Sequence, residues 1–137
     1  MKTVYSFILV ILAVILTSTA TSFLMDRSRI IQADEYPMDV KVTDNGIIGI
    51  NVDSDGLHFG SPGRGGSSER EIIVNNVQED VLATITKSGE IAGWVSSPKN
   101  VIIKKGEETS LVFSINIPLN ASLGNHTGKA VIVLRKM

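Results

Sequence analysis

With 137 residues and 13 Lys and Arg against 14 Asp and Glu, for a formal net charge of −1, the chain has room for about one small domain. It lacks the basic balance that a nucleic-acid partner demands. Cysteine is absent, which excludes disulfides, thiolate nucleophiles and zinc–thiolate sites together. Aromatic residues are 5 % of the chain and tryptophan occurs once, so a core has to come mainly from Ile, Val and Leu, a composition that favours sheet.

After Met1, Lys2 and Thr3 the run from Val4 to Met25 carries no charge. At about 1.5 Å per residue a helix of that length reaches roughly 33 Å, enough for a hydrocarbon core of about 30 Å. Residues 1–25 are therefore expected to form a transmembrane anchor or, alternatively, a signal peptide cleaved near Ala20. The most apolar part, Val4 to Leu16, and the small-x-small triplet Ser18-Thr19-Ala20 suit cleavage. Apolar character resumes at Phe23, Leu24 and Met25, just before Asp26-Arg27-Ser28-Arg29, which suits an anchor. Lys2 on one flank and Arg27 and Arg29 on the other do not fix the orientation. Residues 26–37 read as a charged stalk that continues the helix for a turn or two until Pro37 stops it.

From Met38 to the end of the chain, period-2 hydrophobicity recurs between turn residues, the pattern of a sandwich or barrel. It predicts strands at 38–43, 47–52, 57–60, 71–76, 81–87, 100–105, 110–117 and 128–135. Asp44-Asn45-Gly46 has the turn chemistry of a hairpin between the first two. Leu111, Phe113, Ile115 and Ile117 alternate with Val112, Ser114 and Asn116, so one face of that strand is expected in the core. The expected fold is an all-β, antiparallel sandwich or barrel of about seven or eight strands behind one transmembrane helix, antiparallel because the connections are too short for parallel crossovers. The last strand is expected at an edge, with Lys129, Arg135 and Lys136 as charges that discourage strand addition and Val131 and Val133 as the residues any self-association would use.

Several stretches carry an echo of chemistry. Gly60-Ser-Pro-Gly-Arg-Gly-Gly-Ser67 fits a phosphate-binding loop with Gly66 in place of the lysine. Such a loop needs a following helix whose N–H groups face the phosphates, and here Ser68-Glu69-Arg70-Glu71 leads into a β-patterned run, so a nucleotide is not expected and the glycines read as a crossing between sheets. Asp53-Ser54-Asp55-Gly56 opens like a calcium loop but lacks the later acidic ligands, and reads as a turn. His58 and His126 have no cysteine or third histidine to complete a metal site. No serine stands in a nucleophile elbow. Neither catalysis, a cofactor nor a metal is expected.

The run from Gly56 to Asn76, GLHFGSPGRGGSSEREIIVNN, with Trp94, Gly106-Glu107 and the stretch Pro118 to Gly128, resembles the immunoglobulin-like modules appended to bacterial and archaeal surface proteins and glycoside hydrolases. The residues that carry the likeness are Phe59, Gly60, Asn75, Trp94, Gly106, Glu107 and the Pro118–Gly128 turn, over roughly residues 55–136. The resemblance implies an immunoglobulin-like fold used as a spacer, adhesion unit or assembly surface; it implies no chemistry. A weaker likeness, resting only on a hydrophobic N-terminal helix joined to a small β-domain, is to the membrane-anchored stator proteins of the archaeal motility filament.

Asn120-Ala121-Ser122 and Asn125-His126-Thr127 both fit the N-glycosylation acceptor pattern, and the same residues also suit a plain turn. As acceptors in one exposed loop, Asn120 and Asn125 would place the module outside the cytoplasm. The sequence thus leads to a non-enzymatic, membrane-tethered, extracytoplasmic domain for 38–137 that engages an envelope or surface protein, a second copy included, and neither nucleic acid nor nucleotide. The alternatives are an accessory or stator-like subunit of a surface filament and a carbohydrate-binding module; a donor-strand filament subunit fits less well, since eight candidate strands make a complete sandwich.

Overall fold

The structure, a computed structural model, describes residues 1–46, 55–75 and 77–137. The strand expected at 47–52, the Asp53-Ser54 start of the calcium-like turn and Asn76 at the end of the fourth expected strand lie outside these residues. Helix α1 covers Lys2–Ser28 without a single buried residue. It is long and apolar enough to cross a membrane. Strand β1, Ile30–Val42, follows after Arg29 alone. The remaining strands are β2 (Leu57–His58), β3 (Ser67–Val74), β4 (Val81–Gly89), β5 (Val95–Ser96), β6 (Asn100–Ile103), β7 (Thr109–Asn116) and β8 (Gly124–Lys136).

The strands form two sheets, five strands ordered β2-β1-β8-β4-β6 and three ordered β3-β7-β5. Their inward residues make one hydrophobic cluster: Met38, Val40 and Val42 of β1, Val81, Ala83 and Ile85 of β4 and Ala130, Ile132 and Leu134 of β8, with Leu111, Phe113 and Ile115 of β7 from the smaller sheet. The alternation read in β7 holds, since Leu111, Phe113 and Ile115 are fully buried and Ile117 nearly so. Gly60 to Gly66 carries the chain from β2 in one sheet to β3 in the other, as its glycines suggested; Gly60 and Gly65 have φ of 79° and 72°, and Gly65 and Ile117 are linked by an N–H···O bond of 2.9 Å.

Three expectations change. The segment 30–37 is not a stalk: it is the first half of β1, paired residue for residue with β8 from Gln32↔Leu134 to Pro37↔Lys129. Its charges suggested solvation, but Asp34 and Tyr36 keep the inward parity of Met38 and Val40, and the thirteen-residue β8 requires a partner along its whole length. The helix stops at Ser28, well before Pro37. Nor is the fold uniformly antiparallel, because β2 returns parallel to β1 through Met38↔Leu57 and Asp39↔His58. Finally, β8 is the middle strand of the larger sheet, flanked by β1 and β4, so Val131 and Val133 face outward from a sheet interior and not along an edge.

One side chain ties the strand ends nearest α1 together. Asp80, just before β4, accepts a 2.9 Å hydrogen bond from the backbone N–H of Lys105, in the turn between β6 and β7. Replacing it, Asp80→Ala, is expected to cost about 1 kcal/mol, read as a lower urea midpoint at an unchanged slope.

Candidate interaction surfaces

The two sequence-predicted acceptor residues fall in different settings. Asn120 is exposed in the turn after β7, whereas Asn125 is exposed but lies within β8, opposite Lys41 of β1. They do not share one loop, because β8 begins at Gly124, earlier than the hydrophobic pattern indicated. His126, the middle residue of the second acceptor pattern, points inward and is 5 % exposed.

Both histidines are held at both ring nitrogens. His126 Nδ1 faces the Glu90 carboxylate at 2.5 Å, and Nε2 faces the Ser122 carbonyl at 2.8 Å. Trp94 lies against the same ring, with centroids 5.0 Å apart. A carbonyl oxygen can only accept, so Nε2 carries a proton, and the carboxylate draws a second one onto Nδ1. The Ser122 carbonyl first and Glu90 second raise the pKa of His126 above the ordinary histidine value, against the opposing effect of burial. His58 is arranged alike. Its Nδ1 bonds the Asp39 carboxylate, and its Nε2 stands 3.2 Å from Asp55. The Asp39 bond leads and Asp55 follows in raising its pKa. No group of three or more potential metal ligands gathers among the described residues.

Sequence reasoning passed over these pairings, because Glu90 and His126 are separated by 36 residues and only the register of β8 brings them together. The available signal was weak: a histidine at an inward position of a strand has to find polar partners.

The aromatic residues of the module do not form a platform. Phe59 and Phe113 are buried in the core, Trp94 packs on its margin against His126, and Tyr36 is partly buried beside it. Tyr36 lines a groove of about 360 Å³ that opens between the start of β1 and the end of β3, with Ile31, Ile73, Val77, Ile132 and Leu134. Burial, and then the charge of Asp34, raise its phenol pKa. The outward face of the five-stranded sheet mixes apolar with polar and charged residues, with Glu35 beside Val131 and Arg135 beside Leu82. Ala33, Val131, Val133, Leu82 and Ile102 lie on it in neighbouring strands, together with Thr84 and Thr86.

No protein-family model matches the chain, and no curated protein matches it. Among solved structures, a Burkholderia pseudomallei protein described as an antigen and type I fimbria protein is similar at 14 % identity and a TM-score of 0.36, over 77 % of this chain and 99 % of that one.

Proposed function

We propose that this chain is a non-enzymatic, membrane-tethered domain, immunoglobulin-like in fold, that stands outside the cytoplasm and binds a protein of the cell envelope or surface. The observation that carries this reading is the junction at Arg29. A fully exposed apolar helix of 27 residues ends at Ser28, and the first core strand begins at Ile30. With Arg29 alone between them, the β-domain sits directly at the end of the helix and is held close to the bilayer. The immunoglobulin-like assignment draws support from the two sheets around a single core and from the placement of Trp94 on its margin.

Membrane fractionation and intact mass of the natively expressed protein test the reading. A full-length, membrane-bound species is expected, heavier than its sequence mass, with Asn120→Gln removing the added mass. Asn120 is the acceptor expected to be used, since it lies in an exposed turn, whereas Asn125 is committed to a strand. A soluble species beginning near Thr21 would overturn the tether, and recovery of the domain on the cytoplasmic side by protease protection would overturn its location.

A further inference from the structure

We infer that the open corner between β1 and β3 is a docking site for an extended segment of a partner protein, which adds as a strand to the first half of β1 and places a lysine or arginine against Asp34. The inference rests on the reading above of a domain that binds an envelope or surface protein, and it names the surface and the kind of partner. β1 is thirteen residues long, and β8 runs beside it from end to end. On its other side β2 begins only at Met38↔Leu57. There the Asp39 carbonyl accepts from the Phe59 N–H and the Lys41 N–H donates to the Gly60 carbonyl, both at 2.9 Å. Backbone groups alternate from one side of a strand to the other, so Ala33 and Glu35 aim their N–H and C=O the same way as Asp39 and Lys41. No strand stands beside them there among the described residues. Such a row of backbone groups is a template for another chain.

The groove beside this edge supplies the side-chain half of the recognition. Inward positions of β1 grow more exposed towards its start: Val42, Val40 and Met38 are buried, Tyr36 and Asp34 are half-buried, and Gln32 is exposed. The sandwich is therefore open at this corner, where the groove of about 360 Å³ has Ile73, Val77, Ile132 and Leu134 among its walls. A strand laid along β1 turns alternate side chains towards these walls. Main-chain bonds for affinity and pockets for alternate side chains are the two parts of recognition by strand addition. Charge then selects the segment. Asp34 and Glu79 are the charged residues that line the groove. Glu79 is matched by Lys136 at 2.7 Å, whereas Asp34 meets the Gln32 amide at 2.5 Å and forms no ion pair among the described residues. Tyr36 lies on the same face two residues along. An ammonium or guanidinium group on the incoming strand would meet the Asp34 carboxylate beside the Tyr36 ring. An acidic segment would leave that carboxylate facing its own kind.

Full-length protein in micelles is used to select binders from a random peptide library. The expected result is enrichment of sequences with apolar residues at alternate positions and a lysine or arginine on the same face. The enriched peptide, made synthetically, should slow hydrogen exchange at the Ala33 and Glu35 N–H groups. Asp34→Lys should weaken its binding by about tenfold, and selection on that variant should return acidic residues in place of the basic one. Ala33→Pro removes an edge N–H that makes no bond to β8, a place where proline is tolerated. It too should weaken binding, with circular dichroism confirming the fold; if this variant unfolds, hydrogen exchange on the native chain decides in its place. Enriched sequences that lack the alternation or the cation would overturn the proposal, as would an unchanged preference in Asp34→Lys. Binding that leaves both amides unprotected would overturn it by assigning the groove to a small ligand. An enriched sequence that matches a strand of this chain would overturn the separate partner in favour of a second copy. The measurement uses purified protein and does not depend on the tether or on the side of the membrane, which fractionation and protease protection decide, so the two readings fail separately.

Discussion

Gly89→Val is expected to destabilise the domain by about 2–6 kcal/mol. At Gly89 the chain leaves β4 with φ of 94°, and its backbone crosses that of Gly128, its partner in β8. A Cβ at position 89 would stand 2.6 Å from the Gly128 Cα, a backbone atom fixed between two neighbouring strands. The strained backbone costs about 1–3 kcal/mol and the overpacking typically about 1–3 kcal/mol more, which together approach the roughly 5–15 kcal/mol that holds a whole domain together. Gly128 is equally closed: a Cβ there would meet the Ser88 carbonyl at 2.8 Å and Ile91 and Met38 at 3.1 Å. The comparison that isolates the cause is a series of alanines. Gly93→Ala, with nothing within 4 Å and no positive φ, is expected to be near neutral; Gly106→Ala, at φ of 75° in open space, to show the strain alone; and Gly89→Ala to show strain and clash together. Urea unfolding of the detergent-solubilised chain, followed by circular dichroism, orders them. Equal midpoints for Gly89→Ala and Gly106→Ala would remove the crossing as the reason for the glycine.

This crossing illustrates what could and could not be read in advance. The apolar run that becomes α1 and the alternation of β7 are local patterns, and each is set by the residues that form it. The positions of Gly89 and Gly128 are equally plain in the sequence, but their contact belongs to the pairing of β4 with β8, and pairing is non-local. The same gap explains the reading of Ile30 to Pro37 as a stalk. Its charges are real, yet they belong to a strand whose inward residues, Asp34 and Tyr36, take their parity from Met38. It also explains why β8 was expected at an edge. The end of a chain has no sequential neighbour to pair with, so nothing local revealed that β1 and β4 would close around it. Among the candidate groups, Asn120 was placed correctly on the surface by its turn chemistry, while His126 acquired its meaning only through Glu90, Ser122 and Trp94.

The second large effect is expected from pH, through His126. The folded state favours the protonated ring, which stands between the Ser122 carbonyl and the Glu90 carboxylate, with the Ser122 hydroxyl at 3.4 Å and Trp94 beside it. Its folded pKa is raised above the ordinary value near 6.5. The unfolded chain therefore releases this proton at lower pH than the folded one, and the stabilisation is complete below about 6.5 and is lost as pH rises through the folded pKa. His58, held by Asp39 and Asp55, contributes in the same direction. Urea midpoints of the full chain in micelles are expected to fall between mildly acidic and alkaline pH. His126→Gln should flatten much of that slope, lowering stability below pH 6.5 by about 1.5–3 kcal/mol for each charge-assisted bond lost, with the Glu90 bond at the lower end because its carboxylate is more than half exposed. Trp94, the single tryptophan, supplies a readout that does not depend on unfolding. Its indole stands against the imidazole, so its fluorescence should be quenched by the cation and recover with the titration of His126, at a midpoint above 6.5, in the native protein. Glu90→Gln should move that midpoint down, and His126→Gln should abolish it. A midpoint at or below 6.5, or one unaffected by Glu90→Gln, would show that the ring is neutral in the fold and that the carboxylate does not hold its second proton.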